Sequence, residues 1–405
     1  MSKRGLELYV HIPFCVKKCA YCDFLSGPAD DQTKRVYVDA LAREMESMKE
    51  KYSGYRVDTV FLGGGTPSIL EGSETARIFH ALFDNFDISP DAEITMEVNP
   101  GTVSEEKAEA WKACGINRLS IGLQSADDRE LKMLGRIHTF EAFLDTWGIV
   151  RRAGFDNVNI DLISALPGQT PEGWEKTLRA AAELDPEHIS AYSLIVEEGT
   201  PFYEIYGEPG QDVQACCANG QIRILPPLPD EDAEREIYKA TERILAAYGY
   251  HRYEISNYAK EGYKCRHNLG YWDRKEYLGL GLGAASLIRE CRFHNTTDME
   301  KYVNIFGGAK GKMSDPAAGE SAAEDYEELT LNDRMEEFMF LGLRKTKGIR
   351  EADFRNLFGK EIRQVYGDQI AGLMEQGLLA GVEGRIFLTE RGTDISNYVF
   401  SEFIF

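Results

Sequence analysis

Three cysteines near the amino terminus are the residues of this chain with the clearest capacity for chemistry. Cys15, Cys19 and Cys22 follow a strand-like run at residues 8–13, with the spacing C-x3-C-x2-C. Three thiolates can hold three irons of a cubane iron–sulfur cluster and leave the fourth iron open to a small molecule, whereas a structural cluster normally uses four cysteines. The spacing therefore indicates a reactive cluster with one open iron.

A zinc site is the competing interpretation of the same cysteines. Zn2+ favours closed sites of three cysteines and one histidine, and His11 lies just before Cys15. In that case the thiols would bind a structural zinc ion that stabilises the fold, and they would carry out no redox chemistry. Tyr21, inside the cysteine loop, either contacts a ligand or simply packs over the cluster.

The elements that must position these thiols alternate between strand and helix up to about residue 196. Six strands are predicted, at residues 6–12, 57–63, 92–98, 118–124, 157–163 and 189–195. The first helix between them has apolar residues at three- and four-residue steps, which predicts a stripe packed on the sheet. That stripe consists of Val38, Leu41, Met45, Met48 and Tyr52. Such alternation predicts parallel strands with right-handed crossovers, and six units fit either an open barrel or a doubly wound sheet.

Polar residues follow the predicted strands where ligand sites of parallel sheets form. They are the turn Gly63-Gly64-Gly65-Thr66-Pro67 after the second strand, Glu97 and Asn99-Pro100 at the third, Gln124 at the fourth and Asp161 on the fifth. Taken singly, the glycine run could be a tight turn and each polar residue an ordinary strand end. Their joint placement predicts a binding site beside the cysteines, with bare amides at Gly64 and Gly65 open to a ligand.

The remaining chain divides into three parts by composition. We expect a core at residues 1–230, ending in a surface connection at 199–230, an auxiliary region at 231–306 and a linker at 307–327. Residues 328–405 are expected to form a winged-helix-like module, with helices at 335–343, 351–358 and 370–376 and a strand at 385–389. The acidic residues around this module favour binding to proteins over sequence-specific binding to DNA.

Charge and composition exclude several classes of function. The net charge of -21 and the pI near 4.9 repel nucleic acids and anionic lipids. No signal-like apolar segment and no membrane span is evident, so we expect a cytoplasmic protein that meets membranes only through its partners. Eight cysteines in such a chain predict reduced thiols.

Four motifs together resemble a known family. They are the segments at residues 9–22, 63–67, 94–100 and 119–125. They are similar to the radical S-adenosylmethionine (radical SAM) proteins of the oxygen-independent coproporphyrinogen III oxidase group, and in particular to its heme chaperone branch. The resemblance implies a partial (β/α)6 barrel and a 4Fe-4S cluster on Cys15, Cys19 and Cys22, with S-adenosylmethionine chelating the open iron.

The resemblance also implies which residues contact S-adenosylmethionine. They are Tyr9, Tyr21, Gly64, Gly65, Thr66, Glu97, Gln124, Arg136 and Asp161. Taken from charge alone, Arg136 could equally be a solvated cation at a helix end. No catalytic residue is assigned.

Two further positions separate the branches of this family. The oxidases resemble C-x3-C-x2-C-x-C, but Phe24 stands where their additional cysteine would be. The chaperone branch carries a His-Asn-x-x-Tyr-Trp signature, present here at residues 267–272 and associated there with heme. An imidazole among aromatic rings suits heme iron, so His267 is a candidate heme ligand, with Cys265 as a competing thiolate and a core histidine as the structural alternative.

Three hypotheses of function follow. The leading one is a radical SAM-type heme chaperone that binds the cluster, S-adenosylmethionine and heme and delivers heme to respiratory heme proteins. The second is an oxygen-independent coproporphyrinogen III dehydrogenase, an enzyme of porphyrin biosynthesis, against which Phe24 argues. The third is a zinc-stabilised interaction protein without redox chemistry.

Overall fold

Six strand–helix units open the chain. The computed structural model describes residues 3–207, 214–216, 222–307 and 322–405. The strands of the six units are β1 (Arg4–Ile12), β2 (Tyr55–Gly64), β3 (Ile88–Val98), β4 (Arg118–Gln124), β5 (Val158–Ser164) and β6 (His188–Ser193). The helices of these units are α1 (Asp31–Met48), α2 (Gly72–Asn85), α3 (Glu105–Ala113), α4 (Asp128–Met133), α5 (Phe140–Arg152) and α6 (Pro171–Ala182). All six predicted strands are present. The fourth has the predicted ends, and the other five have shifted ends.

The six strands are parallel and lie side by side in the order of the chain, β1-β2-β3-β4-β5-β6. A doubly wound sheet reverses its strand order at a switch point, whereas a barrel advances in one direction. Of the two architectures that the alternation allowed, the structure therefore has the partial (β/α)6 barrel. Because right-handed crossovers all advance the same way, the helices cover one face and the other face lines the barrel interior.

The two faces of each strand differ in chemistry. In β1, Leu8 and Val10 are fully buried in the apolar core beneath the helices. Tyr9 and His11 alternate with them and therefore face the barrel interior. The predicted stripe lies in the same apolar core. Its residues from Val38 to Met48 are on α1, as predicted, whereas Tyr52 packs on this core from beyond the helix, which ends at Met48.

The next part of the chain extends this sheet at both edges. Its elements are α7 (Pro201–Tyr206), β7 (Gln214–Cys216), β8 (Ile222–Ile224), α8 (Glu231–Ala247), β9 (His251–Arg252), β10 (Asn257–Ala259), α9 (Arg266–Trp272), β11 (Tyr277–Leu280), β12 (Ala285–Ile288), β13 (Cys291–Asn295), α10 (Met299–Gly307) and β14 (Ala323–Glu328). Strand β11 pairs in parallel with β1, and β12, β13 and β14 continue antiparallel from it. At the opposite edge, β10 and β9 pair antiparallel beyond β6.

Two segments predicted as connections contain regular structure. The segment at 199–230 includes α7 and the β7–β8 hairpin, and its residues 208–213 and 217–221 lie outside the described part. The segment at 307–327 includes most of β14, which pairs with β13, while residues 308–321 lie outside the described part. The prediction of a plain linker is wrong for β14, because a charged edge strand has the composition of a loop.

A second apolar core lies at the carboxyl end. Its elements are α11 (Leu331–Leu343), β15 (Ile349–Arg350), α12 (Glu351–Phe358), α13 (Ile362–Glu375), β16 (Leu379–Val382), β17 (Arg385–Leu388), α14 (Glu390–Asp394) and α15 (Ser396–Ser401). The helices pack over a small sheet in the order β15-β17-β16. This is the winged-helix-like arrangement that the sequence predicts. Within the described ranges, no helix is both long enough and apolar enough to cross a bilayer.

Candidate functional site

The cysteine loop closes over the carboxyl ends of the strands. Cys15, Cys19 and Cys22 are partly exposed and free of disulfides. The Cys15 amide donates to the carbonyl of Gly27 at 2.9 Å, and the Ala20 amide donates to the carbonyl of Leu134 at 3.0 Å. Backbone bonds thus hold the loop against the rim while its three thiols remain available to a ligand.

The zinc alternative requires His11 as a fourth ligand, and His11 is engaged elsewhere. Its Nε2 lies 2.8 Å from the carbonyl of Leu25 and its Nδ1 lies 3.0 Å from the Tyr9 hydroxyl. Burial lowers the pKa of His11. Over the described residues, no group of three His, Cys, Asp or Glu side chains is arranged to hold a single metal ion. The structure thus contains no closed Cys3His knot in that part of the chain.

The glycine turn after β2 joins the cysteine loop to the acidic interior. Gly64 has φ +106°, and a Cβ there would lie 2.3 Å from the His11 ring, so only glycine fits. The Gly64 amide donates to Glu97 Oε2 at 3.1 Å, and the Gly65 amide donates to the carbonyl of Ile12 at 2.8 Å. The expectation of bare amides at these glycines is therefore wrong, since both have protein acceptors.

Two carboxylates, Glu97 and Asp161, face the same interior. Burial and the neighbouring Asp161 raise the pKa of Glu97 to about 8. Burial also raises the pKa of Asp161, whose oxygens accept bonds from Ser120 Oγ and Asn159 Nδ2, each at 2.8 Å. A pair of acids whose burial opposes ionisation favours a cationic ligand, which would stabilise the charged form.

Arg136 connects the rim of β3 and β4 to the cysteine loop. Its Nη2 donates to Asn99 Oδ1 at 2.7 Å and to the carbonyl of Gly122 at 2.8 Å, and its Nη1 lies 3.7 Å from Cys19 Sγ. Asn99 Nδ2 in turn donates to Thr66 Oγ1 at 2.8 Å, and the Thr66 hydroxyl donates to Cys15 Sγ at 3.4 Å. Donors to thiolates stabilise their charge, so these side chains fit a cysteine-bound cluster.

The remaining predicted contacts lie around this network. Gln124 has φ +71° and follows a register shift between β4 and β5, which directs its amide toward Gly122. Tyr21 lies beside Arg136, and burial raises its pKa, so it remains a phenol. Tyr9 lies deeper, on His11 and against the Phe61 ring. The structure thus brings together the cysteines and the predicted contacts at one end of the barrel.

His267 is the predicted residue that lies apart from the others. It lies in the first turn of α9, with Nδ1 2.7 Å from Thr59 Oγ1 of β2 and Nε2 3.2 Å from the Tyr271 hydroxyl. The residue is 1% exposed, stacks on Phe61, and burial lowers its pKa to about 3. The prediction of His267 as a heme ligand is not supported by this geometry, because neither ring nitrogen is free.

Cys265, the competing heme ligand, lies in the same closed end of the barrel. It is fully buried, and burial raises the pKa of its thiol to about 12. A thiol held in this way is protonated at neutral pH.

Sequence reasoning missed the residues that hold α9 in place. Glu93 accepts bonds from the amides of Arg266 and His267, at 3.0 and 3.1 Å, at the helix amino terminus. Arg118 is buried near Glu93 and Cys265. The available signal was the two-residue alternation that places Glu93 on the same face of β3 as Glu97.

Comparisons with known proteins agree with this arrangement. The family model described as "Radical SAM superfamily" matches residues 9–181, and the one described as "HemN C-terminal domain" matches residues 329–395. A protein described as "Heme chaperone HemW" from Lactococcus lactis is 35% identical over 404 residues, covering 100% of this chain and 98% of the relative. One of the same description from Bacillus subtilis is 34% identical over 397 residues, covering 98% of each chain.

A solved structure shares the fold over the whole chain. Coproporphyrinogen III oxidase (HemN) from Escherichia coli, described as a radical SAM enzyme, superposes with a TM-score of 0.81 at 24% identity, covering 100% of this chain and 91% of that one. The barrel, the cysteine loop and the full-length similarity to HemW proteins lead to one conclusion: the chain belongs to the radical SAM superfamily and, within it, to the HemW heme chaperone family.

Proposed function

We propose that this protein is a cytoplasmic radical SAM-type heme chaperone that delivers heme to respiratory heme proteins. The observation that carries the proposal is the cysteine loop, whose three thiols lie beside the polar rim, where no side chain of the described ranges takes the role of a fourth ligand. The similarity to HemW proteins along almost the whole chain supports heme as the cargo.

The cofactor site in this proposal lies at the carboxyl ends of the strands. Cys15, Cys19 and Cys22 hold the 4Fe-4S cluster, which when loaded supplies an electron to S-adenosylmethionine. The side chains proposed to hold S-adenosylmethionine are those of Tyr9, Tyr21, Thr66, Glu97, Gln124, Arg136 and Asp161. Gly64 and Gly65 contribute backbone atoms other than their amides, which already have protein acceptors. Glu97 and Asp161 attract the cationic ligand, and Arg136 and Tyr21 present donors to its carboxylate.

We further propose a division of labour along the chain. Residues 1–230 hold the cluster and S-adenosylmethionine, residues 231–306 carry the His-Asn-x-x-Tyr-Trp signature, and residues 328–405 contact partners. The signature helix α9 closes the amino end of the barrel through Thr59 and Glu93. A heme bound to His267 therefore requires α9 to leave this position.

Decarboxylation of coproporphyrinogen III is the second candidate activity, and no feature of the site favours it. Phe24, at the position of the additional cysteine of the oxidases, is 61% exposed and contributes no thiol to the loop. We expect the protein to form no protoporphyrinogen from coproporphyrinogen, even when its cluster is reconstituted and dithionite and S-adenosylmethionine are present. Formation of product would establish the enzyme instead.

Anaerobic heme titration of the full-length protein tests the proposal. We expect a brown protein with iron and sulfide in cubane ratio that also develops a Soret band with hemin. Joint substitution of Cys15, Cys19 and Cys22 by serine abolishes the brown chromophore, whereas the control Cys114→Ser, at the end of α3, retains it. A colourless protein that holds zinc, or one that shows no Soret band, would refute the proposal.

The same titration decides the role of His267. Its buried bonds to Thr59 and Tyr271 predict that His267→Ala lowers the free energy of unfolding by about 2–4 kcal/mol while the folded protein keeps its Soret band. The exposed His251→Ala serves as the control for removal of an imidazole. Loss of the Soret band at unchanged stability would identify His267 as the ligand.

A further inference from the structure

The hydrogen bonds around Asn99 have a direction fixed by chemistry. A guanidinium only donates, so the Asn99 atom 2.7 Å from Arg136 Nη2 is the amide oxygen. The amide nitrogen, which only donates, then faces Thr66 Oγ1 at 2.8 Å. The Thr66 hydroxyl therefore accepts from Asn99 and has its own proton left for Cys15 Sγ at 3.4 Å.

We infer that Asn99 is a positioning residue for the cluster. It accepts a hydrogen bond from Arg136 and donates one to Thr66, and this relay orients the Thr66 hydroxyl so that its proton points to the Cys15 sulfur. This inference rests on the proposed function, since Cys15 is a cluster ligand only within it. Hydrogen bonds in a chain polarise one another, and donors to cysteine sulfurs raise the reduction potential of iron–sulfur clusters. Asn99 thus influences a sulfur that it does not touch.

The backbone of Asn99 is anchored independently of its side chain. Its amide donates to Ser68 Oγ at 3.0 Å, and its carbonyl accepts from the Thr102 hydroxyl at 2.7 Å. Thr66 is also fixed, because its own amide donates to the carbonyl of Phe14 at 2.7 Å. Substitution of the Asn99 side chain therefore changes the relay while both backbones stay in place.

Only an amide can serve in this position. A carboxylate at residue 99 would accept from both Arg136 and the Thr66 hydroxyl, and would draw the hydroxyl proton away from the sulfur. An apolar side chain would leave the hydroxyl free to rotate. Both changes remove a donor from Cys15, the carboxylate more completely.

The midpoint potential of the reconstituted cluster, measured by EPR-monitored titration without S-adenosylmethionine, tests the relay. We expect Asn99→Ala and Thr66→Val each to shift it to more negative values, and the Asn99→Ala shift to shrink in the Thr66→Val background. Such a double-mutant cycle isolates the coupling of the two side chains. Asn99→Asp should shift the potential further than Asn99→Ala. Asn85→Ala, which removes an amide bonded to the Ala81 carbonyl in α2, should leave it unchanged.

Equal shifts for Asn99→Ala in both backgrounds would overturn the inference, since Asn99 would then act without Thr66. An unchanged potential in Asn99→Ala and in Asn99→Asp would overturn it as well. A wild-type protein that assembles no cluster would refute the proposed function instead, so the two failures are distinguishable. Where Asn99→Ala does not retain its cluster, the comparison of Asn99→Asp with and without Thr66→Val decides.

Discussion

At the barrel rim, a residue without a side chain can matter as much as one with a functional group, because it leaves space for its neighbours. Gly122 is the clearest case, because its position faces the Asn99 and Arg136 pair. A Cβ there would lie 2.8 Å from Gln124 Nε2, 3.1 Å from Asn99 Oδ1 and 3.2 Å from Arg136 Nη2. The space that the glycine leaves open is therefore the space in which the network forms.

Gly122→Ala should disturb that network. We expect the free energy of unfolding to fall by about 1–3 kcal/mol, the typical cost of overpacking, and the affinity for S-adenosylmethionine to fall with it. Denaturant unfolding and calorimetric titration measure the two effects. Gly372→Ala is the matched control, because its Cβ would meet no atom within 4 Å in α13 and helix propensity favours alanine. Equal effects of the two substitutions would contradict the packing argument.

The raised pKa of Glu97 predicts a pH-dependent affinity for S-adenosylmethionine. With a pKa of about 8, the carboxyl is mostly neutral at pH 6 and must lose a proton to pair with a cation. We expect affinity to rise by up to ~10-fold per pH unit from pH 6 toward pH 8, as one-proton linkage requires. Glu97→Gln should bind more weakly and without this slope, whereas the exposed Glu109→Gln should match the wild type. A pH-independent wild-type affinity would contradict the assignment.

Among the elements, α9 shows how a signature motif can serve the fold. The helix occupies the amino end of the barrel, where His267 and Glu93 hold it. Gly270 of this helix leaves room for Glu7, because a Cβ there would lie 1.8 Å from Glu7 Oε1. Both Glu7 oxygens are buried, and neither has a hydrogen-bond partner among the residues that the structure describes. A buried carboxyl whose nearby cation is Lys275, at 3.9 Å, therefore lies directly under the signature helix.

Glu7 predicts a pH dependence of stability. Burial raises its pKa to about 8, well above the value of 4.5 for an exposed glutamate, so its stabilising contribution is complete below pH 4.5 and is lost as the pH rises through 8. Glu7→Gln removes this loss, and its advantage over the wild type should grow between pH 4.5 and pH 8 to roughly 5 kcal/mol, at ~1.4 kcal/mol per pH unit. Unfolding free energies measured from pH 5 to pH 9 test this. The absence of a pH-dependent difference would refute it.

Glu93→Gln provides the contrast, since Glu93 is buried nearby but has amide donors. Loss of these bonds between the carboxyl and the helix amides should cost about 1–3 kcal/mol. A gain in stability for Glu93→Gln would show that burial of the charge outweighs the helix-terminus bonds.

The extent to which sequence predicts these elements depends on how local their causes are. Strands β1 to β6 and the cysteine loop follow from alternation and spacing within short windows, so they could be predicted. The positions of His267 and Asn159 could not, because they depend on how a distant segment returns beneath the barrel and on strand register. Strand β14 escaped prediction for another reason, since its charged residues suit a solvated edge as well as a loop.

At the scale of the whole molecule, the carboxyl-terminal module is joined to the barrel by buried charges. Arg274 Nε donates to Glu337 Oε2 at 2.7 Å, and Arg292 also contacts Glu337. Arg274 pairs in addition with Glu290 at 2.8 Å. Because the Glu337 side chain is only 6% exposed, this junction depends on its charge.

Glu337→Gln should weaken the junction, because the buried Arg274 then loses one of its two carboxylate partners among the described residues and keeps only Glu290. We expect the free energy of unfolding to fall by about 3 kcal/mol, as when other buried ion pairs are broken. Glu375→Gln, an exposed position in the same module, is the control and should change it by less than ~0.5 kcal/mol. Equal stabilities would mean that apolar contacts alone hold the module.

The central claim is that the three thiols leave one iron of the cluster to S-adenosylmethionine. The EPR spectrum of the reduced cluster, recorded with and without S-adenosylmethionine, tests it most directly. The account predicts that the signal changes on addition of the cofactor, because its amino and carboxylate groups bind the open iron, and that Glu97→Gln weakens the response. An identical spectrum at saturating S-adenosylmethionine would contradict the account.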